Sequence, residues 1–124
     1  MVNDNELINY LDQRGVKDNI YRKFVLNYAT ENYNFSLCTT NGFDYAVSHF
    51  LDRSLKKGYG LIATNKALGT ESGRQLAIGL IEGDDVICLD LKNGQINIWM
   101  IQNGNGEHLV VAKTFQDFLD NCCE

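Results

Sequence analysis

Three carboxylates lie within four positions of the sequence, at Glu82, Asp84 and Asp85, and a fourth, Asp90, follows five residues later. Such a group could bind a metal ion, serve as an acid–base pair or form an acidic surface for a basic partner. A metal site needs several oxygens converging on one point, and the segment lacks the D-x-[DN]-x-[DN]-G pattern of a calcium loop. Two interpretations stay open: a polar turn that only joins two strands, and a contact surface for a cationic protein.

Cys88, His49 and His108 are the residues that could form a nucleophile–base pair. A reactive cysteine must be a partly exposed thiolate beside a base, whereas Cys88 lies in the middle of a strand-like segment and the sequence places neither histidine near it. We therefore predict no catalytic residues and no enzyme. A small hydrolase is the least favoured class of function.

The four cysteines are Cys38, Cys88, Cys122 and Cys123, and their spacing contains no C-x-x-C pair of the kind that structural zinc sites use. We predict no metal and no cofactor. The segment MVNDNELINY is too polar for a secretory signal, and no apolar run approaches the roughly 18 residues that a membrane span needs. We expect a cytoplasmic protein with reduced thiols and no membrane partner.

The acidic residues are concentrated in the second half of the chain. Residues 1–66 carry 8 Lys and Arg against 7 Asp and Glu (net +1), whereas residues 67–124 carry 3 against 9 (net −6). Such a field repels phosphate backbones and attracts cationic surfaces. Nucleic-acid binding is therefore not expected, and a basic protein is the favoured partner.

The tryptophan at position 99 is a second candidate contact for a partner. Tryptophan is enriched among the residues that dominate binding energy at protein interfaces. The alternative is a half-buried strand residue that closes the core. The candidate binding residues are thus Glu82, Asp84, Asp85, Asp90 and Trp99.

Hydrophobic spacing predicts four helices. The first covers residues 5–14 and ends at Gly15, and the second is capped by Asp18 or Asn19. A third, over residues 53–67, has a weaker pattern, and the last begins after Thr114. Its aromatic face, like that of the second helix, recurs at i, i+3 and i+4.

Strands are predicted at residues 32–40, leading into a turn at Asn41-Gly42, and at 43–51, 75–82 and 109–112, together with a hairpin over residues 86–101. The run over 75–82 is apolar enough to be a central strand. In the hairpin, Asn93-Gly94 favours a two-residue type I′ turn. That turn pairs Lys92 with Gln95 and sets Leu89 opposite Ile98.

This order of elements predicts one domain over residues 1–124 with an α+β fold. We expect a mostly antiparallel sheet, with the N-terminal helices and the C-terminal helix packed on one side. One face of the hairpin is wholly apolar and must pack on helices, while the other is mixed and only partly covered.

The order of features from residue 76 onward resembles the SUKH superfamily. The shared features are an apolar strand ending in glycine (residues 76–79), the acidic turn Gly83-Asp84, a strand with Cys88 and Asp90, a strand with an aromatic residue (96–99) and a closing helix (114–119). YRKFVLNY is similar to the family's second helix. The usual proline before that helix and the NGG after it are missing here.

The resemblance implies an α+β fold and a binding role. Bacterial members look like immunity proteins, which block a toxin, often a nuclease, by occupying its active site or substrate channel. A nuclease channel is basic, so an acidic inhibitor can mimic its substrate. The alternative that the resemblance implies is an intracellular regulatory scaffold with another client, as in the fungal member that regulates cell-wall glucan synthesis.

Overall fold

The computed structural model describes residues 1–28, 35–38, 44–103 and 106–123. These residues form four α-helices, one 3-10 helix over Ile101–Asn103 and seven strands. The α-helices are α1 (Asp4–Arg14), α2 (Asn19–Asn27), α3 (Leu61–Leu68) and α4 (Phe115–Asp120). The strands are β1 (Phe35–Cys38), β2 (Asp44–Phe50), β3 (Gln75–Ile81), β4 (Val86–Asp90), β5 (Ile96–Trp99), β6 (His108–Ala112) and β7 (Cys122–Cys123).

The strands form one antiparallel sheet in the order β6-β5-β4-β3-β2-β1-β7. The predicted α+β class is confirmed, and β3 is the central strand as expected. The predicted strand over 32–40 is present as β1, whereas its turn at Asn41-Gly42 lies outside the described residues. A short strand after α4, β7, was not predicted.

The end of α1 at Gly15 and the start of α2 after Asp18 are as predicted, and α1 begins one residue earlier than predicted. The Asn3 side chain accepts a hydrogen bond from the Glu6 N–H, and Gly15 ends α1 in the left-handed conformation with φ of 76°. The Asp18 carboxylate caps α2 by accepting from the N–H groups of Ile20 and Tyr21, each at 3.0 Å. Both predicted helices are confirmed.

Aromatic rings fill the space between these helices, α4 and the sheet. Phe24 lies edge-on to Phe50 and Phe115, at centroid distances of 4.9 and 5.1 Å, and Tyr21 lies edge-on to Phe115 at 5.0 Å. Phe118 of α4 is also fully buried. The predicted aromatic faces of the second and last helices therefore form one shared core on one side of the sheet.

The third helix starts eight residues later than the sequence predicts, at Leu61 instead of residue 53. Gly58 has φ of 91°, and a Cβ at Gly60 would collide with the backbone carbonyl of Ser54. The chain before α3 is therefore a tight loop that a helix could not replace. Leu55, which the predicted helix would have included, lies in this loop with 71% of its surface exposed.

The side chain of Asn65 joins α3 to the centre of the sheet. Its amide nitrogen donates to the Ala77 carbonyl at 2.9 Å, and its oxygen accepts from the Ala77 N–H at 2.9 Å. On the side of β3 that faces β2, backbone bonding extends as far as Ile78, whose carbonyl accepts a hydrogen bond from the Leu51 N–H. Asn65 thus supplies the two bonds that a neighbouring strand would make to Ala77, and it is fully buried.

The hairpin register is shifted by two residues from the prediction. Leu89 lies opposite Ile96, not Ile98, and the Asp90 N–H donates to the Gln95 carbonyl, so residues 91–94 form the turn. Gly94 has φ of 78°, but Asn93 does not have the positive φ that a type I′ turn requires. A shift of two keeps every side chain on its predicted face.

The cause of this shift is the carboxylate of Asp90, which accepts hydrogen bonds from the N–H groups of Lys92 and Asn93 at 2.9 and 3.3 Å. An aspartate that satisfies loop amides in this way stabilises a longer turn. The predicted type I′ turn is therefore wrong.

Replacement of Asn65 by alanine is expected to lower the free energy of unfolding by about 2–4 kcal/mol, because it leaves the buried N–H and C=O of Ala77 without their partners. Urea denaturation followed by circular dichroism measures the change. The control is Asn9→Ala, an exposed position on α1 where the expected change is within about 0.5 kcal/mol. Equal stability of Asn65→Ala and the wild type would contradict the proposed role of this side chain.

Candidate functional site

A hydrogen-bonded turn presents the acidic group to solvent. The Asp84 N–H donates to the Ile81 carbonyl at 3.0 Å, and the Ile81 N–H donates to the Asp85 carbonyl at 3.0 Å. Gly83 and Asp84 both have positive φ, 92° and 69°. Aspartate tolerates this conformation better than most residues. The side chains of Glu82 and Asp84 are exposed as a result.

Asp85 differs from its two neighbours because the fold already uses its side chain. One carboxylate oxygen accepts a hydrogen bond from the Gln102 N–H at 2.9 Å, and the residue is half-buried. This bond attaches the turn to the 3-10 helix over Ile101–Asn103. It holds two walls of a neighbouring groove together.

The groove has a volume of about 370 Å³ and lies directly beside the turn. Its apolar lining comes from three parts of the fold: Leu68 at the end of α3, Leu80 and Val86 on β3 and β4, and Ile101. Asp84 and Lys57 are the charged residues of the lining. An apolar groove with a carboxylate at its rim can accept an apolar side chain that is followed or preceded by a basic one.

Asp90 lies at the opposite end of β4, roughly 16 Å from Asp85 at the usual rise of a strand. Only 5% of its surface is exposed. Its carboxylate accepts hydrogen bonds from the Nε of Arg74 at 2.8 and 2.9 Å and from the side-chain amide of Gln75 at 3.2 Å. Of the four predicted acidic residues, the structure therefore groups three at the turn, with Asp84 lining the groove, and separates Asp90 from them.

The pKa of Asp90 is set by opposing effects. Burial raises it, but the hydrogen bonds from Arg74 and from the backbone N–H groups of Lys92 and Asn93 favour the charged form, and the net effect is a pKa below the usual value. Asp90 is thus a charged structural residue.

A row of polar side chains continues from Asp90 across three strands. Gln75 accepts a hydrogen bond from the side-chain amide of Asn97 at 2.9 Å, and the oxygen of Asn97 lies 2.7 Å from Nδ1 of His108. Since an amide oxygen can only accept, Nδ1 of His108 carries the proton. This row was not predicted, and its signal in the sequence was the polar residues on the mixed face of the hairpin.

Trp99 and His108 stack on this face with ring centroids 5.6 Å apart and planes 9° apart. Trp99 is half-buried and lies opposite Val86, the residue that contributes to the groove. Partial burial lowers the pKa of His108 despite the charge of Asp90, which raises it. The neutral imidazole and the indole therefore form a flat patch. This patch lines a second, smaller pocket with Thr70, Gly73 and Arg74, separate from the groove.

Cys88 is fully buried, and burial raises the pKa of its thiol to about 12. A thiol with this pKa is a poor nucleophile at neutral pH. The ring of His49 is used elsewhere: its Nε2 lies 2.6 Å from the Gly58 carbonyl oxygen and stabilises the loop before α3.

Comparisons with protein-family models, with curated proteins and with solved structures found no match. Within the described residues, no three His, Cys, Asp or Glu side chains come together as a metal ion would require. None of the helices in the described ranges has both the length and the hydrophobicity to cross a membrane.

The replacement Asp90→Asn is expected to lower the free energy of unfolding by about 1–2 kcal/mol at pH 7, because it removes the charge that Arg74 and the loop amides stabilise. A carboxyl with a lowered folded-state pKa contributes stability above its unfolded-state pKa, near 4, and loses it as the pH falls through the folded-state value. The difference between the wild type and Asp90→Asn should therefore shrink below about pH 4. Urea unfolding from pH 7 to pH 2.5 tests this, and a difference that stays constant would contradict it.

Proposed function

We propose that this chain is a cytoplasmic, non-enzymatic binding protein of the SUKH type that neutralises a basic protein toxin, such as a nuclease. The single observation that carries the proposal is the apolar groove beside the acidic turn. It gives the carboxylates of Glu82 and Asp84 an adjacent surface on which binding energy can be gained. A polar turn with no binding role has no need of such a groove.

The charge distribution supports a cationic partner. The exposed carboxylates at positions 82 and 84 belong to the half of the chain with a net charge of −6. Rim charges of this kind act mainly by steering the partner and by excluding anionic competitors. These charges determine which partner binds, while the groove provides the apolar surface that the partner covers.

The chemistry of the groove supports an apolar anchor. Leu68, Leu80 and Ile101 are half-buried, so each retains apolar surface that a partner can cover. Removal of such surface from water contributes about 25 cal/mol per Å² before the costs of association. We expect the partner to insert one apolar side chain here and to direct a lysine or arginine towards Asp84.

Trp99 extends the proposed surface, and Asp90 does not. The indole of Trp99 stacks on His108 in a pocket separate from the groove, although its backbone pairs with Val86. A partner that fills the groove must therefore extend beyond it to contact Trp99. Asp90 is buried and bonded to Arg74, which leaves its carboxylate little surface for a partner. Its role in the proposal is to stabilise the strands that carry the surface.

The variant Asp84→Asn tests the proposal without backbone strain, because asparagine also tolerates positive φ. We expect Asp84→Asn combined with Glu82→Gln to weaken binding to the toxin encoded beside the gene about tenfold at low salt. The difference should diminish as NaCl is raised from about 50 to about 300 mM. Isothermal titration calorimetry measures both effects.

Two controls separate charge from backbone effects. Asp84→Gly removes the charge at a position where glycine is favoured, so it should weaken binding as Asp84→Asn does while the turn stays intact. Glu6→Gln makes the same charge change at an exposed position on α1 and should leave affinity unchanged. The proposal fails if the wild type forms no complex at low salt, or if its affinity is indifferent to the changes at positions 82 and 84.

A further inference from the structure

The two edges of the sheet differ in how well they are protected. The β7 edge consists of two residues, a length too short to pair with another chain. The other edge, β6, has the sequence HLVVA, with neither a charged residue nor a proline. Uncharged edge strands of this length are templates for pairing with a further strand.

The backbone of β6 has a defined set of groups on its open side. The Met100 N–H donates to the Glu107 carbonyl, and Leu109 lies opposite Ile98 two residues further along the ladder. Because bonded and non-bonded pairs alternate in an antiparallel ladder, the N–H and C=O groups of His108 and Val110 point away from β5. An added strand would meet these groups first.

A groove of about 620 Å³ lies where the end of β6 meets α4, and its lining includes Gln95 and Lys113. Val110 lines it with 46% of its surface exposed, and Asp117 and Asp120 line it from α4. A bulge at Val111 turns that side chain into the core and limits the regular edge to residues 108–110. The groove therefore combines a short open edge, one apolar side chain and two carboxylates.

We propose that β6 binds an extended basic segment of a partner protein by strand addition. Asp117 and Asp120 are three residues apart on a helix, which separates their Cβ atoms by about 5–6 Å. Side chains at alternate positions of a strand lie on one face, about 6.6 Å apart. Two lysines or arginines separated by one residue would thus reach both carboxylates, and the residue between them would lie on the face that carries Val110.

The charges of the groove argue against a second copy of this chain as the occupant. Two β6 strands paired antiparallel about Val110 would place Glu107 of the second copy opposite Lys113, close to Asp117 and Asp120. Three carboxylates and one lysine would then meet at each end of the interface, and the excess of like charges is destabilising. A basic segment would instead place cations beside Asp117 and Asp120, which is stabilising.

The probe is a short fluorescein-labelled peptide that alternates valine and lysine, with binding measured by fluorescence anisotropy. We expect saturable binding, weakened about fivefold by Asp117→Asn combined with Asp120→Asn. Lys113→Gln removes a positive charge from the same groove and should strengthen binding. A peptide of the same composition with its lysines grouped at one end should bind more weakly than the alternating one.

N-methylation distinguishes strand addition from attraction of charge alone. Methyl groups on one alternate set of peptide amides block the bonds to β6, whereas those on the other set face away. We expect one set to abolish binding and the other to be tolerated. Binding that survives both sets, or that is indifferent to Asp117→Asn and Asp120→Asn, would overturn the proposal.

Two further measurements distinguish this site from the acidic turn and from self-association of the chain. Asp84→Asn should leave peptide binding unchanged, because the acidic turn is not part of this groove, so the test is independent of the function proposed above. Sedimentation of the protein without peptide should show a monomer. A dimer that the peptide dissociates would mean that a second copy occupies the edge and would also overturn the proposal.

Discussion

The buried carboxylate of Asp90 is the constraint on which the rest of the mixed face of the sheet depends. It accepts hydrogen bonds from Arg74, Gln75 and two amides of the following turn, and so joins β4 to β3 and determines the length of the hairpin loop. A buried charge is costly unless it is fully bonded. Any register that separates Asp90 from these donors therefore loses stability, and the observed register keeps them together.

That register has consequences at the other end of the hairpin. With Leu89 opposite Ile96, Val86 lies opposite Trp99, and the start of β4 comes next to the 3-10 helix whose Gln102 N–H bonds to Asp85. The acidic turn and the groove are therefore built from strands whose alignment is determined roughly 16 Å away. The polar row that ends at His108 belongs to the same arrangement, because each of its bonds requires neighbouring strands in this alignment.

The sequence predicted what local chemistry determines. The caps at Asp18 and Gly15, the apolar strand over 75–82 and the aromatic stripe of the last helix act within a few residues, and each was found where expected. The hairpin register and the start of α3 were wrong because both depend on side-chain contacts: the loop amides bonded to Asp90, and the loop that His49 holds. The groove was not predictable, since its walls come from distant segments that meet only in the folded chain.

We propose that a partner contacts the face that carries the acidic turn, and not the face on which α2 and α4 pack. Hydrogen–deuterium exchange of the protein, alone and in complex with its cognate toxin, tests this most directly, because it maps protection without any substitution. We expect protection on binding to be concentrated at residues 82–86 and 99–102. Protection confined to α1 and α2, with no change at the acidic turn, would contradict it.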